Sequence, residues 1–145
     1  MILNEKGIIK EFDLVIYPVN FVVVIGNVKG ELEKEYKPAD ENYVGFGRPT
    51  DENPCKTFEA LQIKGDYPCS LIWVKDLDAC RGSYFCHEVG HSAMDIFAFI
   101  GAEPDVKNQE PFAYLLGNLF RLLNGAFYEY RDYLEKKDNK PKKKK

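Results

Sequence analysis

The hydrophobic pattern of this 145-residue chain changes period once, near Asp78, and that change constrains the fold more than any other feature. Before it, short β-branched and aromatic runs alternate with turn residues. After it, apolar residues recur at helical spacing. Ile8-Ile9-Lys10-Glu11-Phe12-Asp13-Leu14-Val15-Ile16-Tyr17 reads as a strand broken by Pro18, and Phe21–Ile25 as a buried strand stopped by Gly26-Asn27. Together they predict a hairpin around Pro18-Val19-Asn20. Glu31–Lys37 fits a short helix or an extended edge. Pro38–Pro54 is rich in Pro, Asp, Asn and Gly and predicts a long loop with little regular structure. Thr57–Lys64 and Ser70–Lys75 complete the strand set, joined by Gly65-Asp66-Tyr67-Pro68.

Asp78 suits the N-cap of a helix over Ala79–Ile100 that ends at Gly101, with Phe85, Val89, Ala93, Ile96, Phe97 and Ile100 forming one stripe. A second helix is expected over Gln109–Leu134, with Asn108 as cap and Pro111 in its first turn. Strands first and helices second predict an α+β domain, an N-terminal antiparallel sheet packed on a C-terminal helical hairpin. With 45% hydrophobic residues the chain can bury a core, so residues 1–134 read as one domain. Residues 135–145 read as a disordered lysine-rich tail, holding seven of the twenty basic residues. Its contact with nucleic acid ranks second to a solubilising role, because it has no arginine or aromatic residue.

The start of the chain lacks a basic segment followed by an apolar stretch and a cleavage site, and Phe21–Ile25 is too short to span a membrane. A cytoplasmic protein with no membrane partner is expected. Cys55, Cys69, Cys80 and Cys86 are then reduced thiols, and without C-x-x-C spacing they do not suggest a separate zinc site.

Both histidines lie in His87-Glu88-Val89-Gly90-His91. Four residues apart on a helix, the two imidazoles share a face and can share one metal ion, while Glu88 can reach a water on that ion. A catalytic zinc ion usually takes a third protein ligand. Glu110, nineteen residues after His91 and at the start of the second helix, is the best placed in sequence, ahead of Glu103 and Asp105 in the loop. Tyr114 shares the Glu110 face and could donate to an oxyanion, or simply belong to the amphipathic core. Asp95, one turn after His91, could accept an imidazole N–H or be solvated.

His87-Glu88-Val89-Gly90-His91, followed by Glu110-Pro111-Phe112-Ala113-Tyr114-Leu115, resembles the zincin metallopeptidases of the gluzincin type, and small zincin-like proteins often encoded by bacteriophages. The resemblance covers Ser83–Gly117. It implies a zincin-like fold with Zn2+ held by His87, His91 and Glu110, and a cytoplasmic location in the host if the chain is phage-encoded. It further implies Glu88 as general base for zinc-activated water attacking a peptide or protein substrate. An edge strand that pairs with extended peptide is also implied, a role that would fall to Ser70–Lys75. The chain departs from larger gluzincin peptidases in lacking their cleft-closing helical domain and a third histidine. Two rivals stand beside the peptidase: an interaction or accessory protein stapled by zinc, and a metal-free scaffold whose polar residues lie on a solvated helix face.

Overall fold

The computed structural model describes residues 1–39, 42, 45–62 and 67–141. Parts of the expected 38–54 loop, the Gly65-Asp66 turn and Lys142–Lys145 of the tail therefore lie outside the described residues.

Six strands form one sheet: β1 (Ile2–Asn4), β2 (Gly7–Asp13), β3 (Asn20–Gly26), β4 (Tyr36–Pro38), β5 (Cys55–Gln62) and β6 (Pro68–Val74), in the order β1-β2-β3-β6-β5-β4. The predicted hairpin is present: β2 pairs antiparallel with β3, Gly7 opposite Gly26 and Asp13 opposite Asn20. At its foot Gly26 takes φ +102°, and a Cβ there would meet the Lys6 carbonyl oxygen at 2.2 Å, so only glycine fits.

The sheet departs from expectation in its centre. Strand β6 pairs parallel with β3, Val22 opposite Leu71 and Val24 opposite Trp73, and antiparallel with β5, Thr57 opposite Ile72. The sheet is mixed, and Ser70–Lys75 is not the edge strand that the zincin pattern requires. The cause is in the residues: Leu71, Ile72, Trp73 and Val74 are buried on both faces, a continuous apolar run that suits an interior strand. Among the described residues β4 pairs with only one end of β5, from Pro38 opposite Ala60 to Tyr36 opposite Gln62, as β1 pairs with only the Gly7–Ile9 end of β2 at the other side of the sheet.

Three helices flank the sheet: α1 (Lys29–Glu35), α2 (Gly82–Phe99) and α3 (Glu110–Asp138). The helix expected from Ala79 with Asp78 as cap starts at Gly82, with Arg81 at the N-cap and no side-chain cap. A separate 3-10 turn at Leu77–Ala79 precedes it, capped by Asp76, whose carboxylate accepts from the Ala79 N–H. Helix α3 continues past Leu134 to Asp138. Strand alternation divides the core in two. Phe21, Val23, Ile25, Ile72 and Val74 face α2 and α3, meeting Phe85, Val89, Ile96, Leu119 and Leu123. Val22, Val24, Leu71 and Trp73 face the other way, under Val28 and Leu32 of the α1 region and Phe46. The Trp73 indole N–H donates to the Gly26 carbonyl across 2.9 Å, which satisfies both groups inside that second core. The α+β arrangement of sheet and C-terminal helices stands, but as three layers rather than two. Among the described residues no helix is long and apolar enough to cross a membrane.

Candidate functional site

A cleft of about 590 Å³ runs between the outer edge of β5 and the exposed face of α2. Cys55, Lys56, Thr57, Phe58 and Glu59 form its floor, and His87, Glu88, His91 and Asp95 one wall. Pro38, Gly47 and Asn53 form the other wall.

Strand alternation decides what each residue presents. Cys55, Thr57 and Glu59 face α2, whereas Phe58 turns to the opposite core, edge-on to Phe46 with ring centroids 5.4 Å apart. Thr57 is the tie between floor and wall. Its hydroxyl donates to the Glu88 carboxylate and lies 3.2 Å from the Glu88 carbonyl oxygen. Glu88 is only 8% exposed, so this bond offsets the cost of burying a carboxylate. His87 and His91 project into the cleft from successive turns, their Nε2 atoms 3.1 Å apart and ring centroids 4.8 Å apart. That separation is within hydrogen-bonding distance, and the tautomers decide which nitrogen donates. Burial, then the Glu59 carboxylate, push the Asp95 carboxyl above its usual range, and the His91 imidazole pulls the other way less strongly.

The structure brings together His87, Glu88 and His91, and does not bring Glu110 or Tyr114 to them. Helix α3 packs antiparallel on α2, with Phe112 against Phe97 (5.1 Å between centroids) and Phe120 against Phe85 (6.3 Å). Glu110 therefore sits level with the C-terminal end of α2, more than a turn beyond His91, and exposed. Tyr114 is 75% exposed. At the level of the histidines α3 offers Leu115 and Leu119, which are core residues. The histidines moreover face β5, whereas α3 meets α2 through Phe85 and Phe97.

Among the described residues no group of three or more His, Cys, Asp or Glu side chains is arranged to hold a metal ion. Two converging imidazoles do not make the three-ligand set that a zinc centre needs. This overturns the zincin identification and the Zn2+ cofactor. It also overturns the hydrolase mechanism built on zinc-activated water with Glu88 as base, and the alternative in which zinc staples the helices. The spacing within the motif was read correctly as one helical face. The error lay in the third ligand, whose position depends on how two helices align, a property that residue spacing does not contain.

Sequence reasoning missed Thr57 and Glu59. The signal available was the pair of polar residues two apart, Thr57 and Glu59, on one face of a predicted strand, but only the position of β5 near the sheet margin gives it meaning. No family model, no curated protein and no solved structure matches the chain.

Proposed function

We propose that this chain is a peptide-binding module that takes an extended segment of a partner protein as an added strand along β5. The supporting observation is the pairing of β5: β4 covers residues 60–62, and the Ala39 N–H donates to the Glu59 carbonyl across 3.1 Å. The backbone groups of a strand alternate in direction, so the N–H and C=O of the half-buried Thr57 point the same way as the Glu59 carbonyl, toward the cleft, whereas Cys55 is buried. The Pro54 carbonyl accordingly points inward, accepting from the Lys75 N–H across 2.8 Å. Among the described residues no strand pairs with Cys55 or Thr57 on that outer side. An exposed edge of this kind is a template for another chain. Here it lies along the track that β4 leaves after Pro38, inside a cavity large enough to hold side chains.

His87, Glu88 and His91 then serve as polar contacts for the ligand's side chains, with Thr57 holding Glu88 in place. A fluorescent hexapeptide of alternating Thr and Val tests the reading by anisotropy. Binding to the protein is expected, with a loss of about tenfold or more when the peptide's ladder-forming amides are N-methylated, since that removes donors without changing side chains. Equal binding of the methylated peptide would contradict strand addition.

A further inference from the structure

Apolar side chains are left uncovered at the end of the molecule where α2 stops. Four segments meet there: the β2–β3 turn, the last turn of α2, the loop after it and the start of α3. Phe97 joins them, its ring centroid 6.4 Å from that of Tyr17 in the turn and 5.1 Å from that of Phe112 in α3. Around this buried hub Val15 is 84% exposed, Ile16 82% and Val106 82%, more than any other large apolar side chain among the described residues. Phe99 and Ile100, which end α2, are exposed as well. Two recesses open here: one of about 310 Å³ with Val19, Ile96 and Phe99 among its walls, and one of about 250 Å³ with Val106, Phe112 and Leu116. Apolar surface gathered in this way marks a contact with another molecule.

The β2–β3 turn holds its tip outward under strain. Val15 takes φ +62°, a left-handed conformation that disfavours a β-branched residue. The Asp13 carboxylate accepts from the Val15 N–H across 2.8 Å, and the Leu14 carbonyl accepts from the Ile16 N–H across 2.7 Å. Leu14 and Val19 are buried on either side, so the turn is anchored while Val15 and Ile16 stand in solvent. Burial within the chain does not account for two β-branched side chains at that tip. The border of the surface is acidic: Asp13, Glu103, Asp105 and Glu110 are exposed, and among the described residues none of them forms an ion pair. Lys107 is the one basic residue of these segments. That charge disfavours a second copy of the chain, or an anionic lipid surface, and suits a basic partner.

We infer that this end of the molecule is a docking surface for a basic amphipathic segment of a partner protein. Apolar side chains of the segment enter the two recesses and pack on Val15, Ile16 and Phe99, while lysines or arginines at its borders meet the four carboxylates. The contact is separate from strand addition along β5 and does not depend on it.

A labelled helix-forming peptide of leucine and lysine, with its leucines on one face, is the probe. One control has the same composition scrambled so that no apolar face forms, and another carries glutamate in place of lysine. In anisotropy titrations of the full chain, the amphipathic lysine peptide is expected to bind at least about tenfold tighter than either control. Its margin over the glutamate peptide should narrow as salt is added. Ile16→Ser combined with Val106→Ser, and separately Val15→Gly, are each expected to weaken binding by about tenfold. All three side chains are exposed, and circular dichroism confirms that the variants are folded. Absence of binding, equal binding of the scrambled or glutamate peptide, or unchanged affinity in both folded variants would overturn the inference. Self-association in sedimentation that the same substitutions abolish would overturn it in favour of a second copy. Binding to phosphatidylcholine vesicles without binding to the peptide would overturn it in favour of a lipid surface.

Discussion

At the scale of single residues, burial and position separate side chains that look alike in the sequence. The four cysteines carry thiols rather than disulfides. Cys55 and Cys69 are buried in the two opposite cores. Burial pushes the Cys69 and Cys80 thiols up to about 12, and the Cys55 thiol well above its ordinary value, with Glu88 adding to the shift. Cys86 instead lies exposed on α2. Thiolate is the reactive form, so brief alkylation of the native protein at neutral pH is expected to label Cys86 well before the other three, as read by peptide mass spectrometry. Labelling of Cys55 or Cys69 at the same rate would contradict the burial described. The histidines teach the same lesson from the other side. Their shared helical face was legible from a four-residue spacing, yet spacing could not say that Glu110 would fall beside the far end of α2.

At the scale of elements, β5 and α2 are held in register by Thr57. Replacing it with valine keeps the shape but removes the donor to a carboxylate that is nine-tenths buried. Thr57→Val should therefore cost about 1–3 kcal/mol in chemical denaturation, whereas Thr57→Ser should stay near wild type. A valine variant within about 0.5 kcal/mol of the parent would show that Glu88 does not depend on this bond. The elements were legible where pattern is local. The β2–β3 hairpin, β6 and the two long helices follow from apolar runs, turn residues and helical stripes, and the ends moved by only a few residues, as at α2, which starts at Gly82 rather than Ala79. The order of strands was not legible. Two apolar runs, Phe21–Ile25 and Ser70–Lys75, become parallel neighbours in the centre, while the more polar Cys55–Gln62 goes outside. A run buried on both faces belongs inside a sheet covered by two layers, but the second covering layer, α1 with Phe46, carries too few apolar residues to announce itself.

At the scale of the whole molecule, the mixed sheet covered on both faces leaves part of β5 without an outer strand among the described residues, beside a cleft. There the outer half of β5 meets a helix face bearing His87, Glu88, His91 and Asp95. The His87–His91 spacing thus does not mark a metal centre, which the fold does not complete; the proposal places these residues on one wall of a groove. The central claim is that the Thr57 backbone receives a ligand strand, and amide hydrogen exchange resolved by residue tests it most directly. On adding the Thr-Val hexapeptide at saturating concentration, exchange at Thr57 is expected to slow by at least about tenfold, with the interior amides of β6 unchanged. Unaltered exchange at Thr57 with the peptide bound would contradict the account, because the ligand would then lie elsewhere on the molecule.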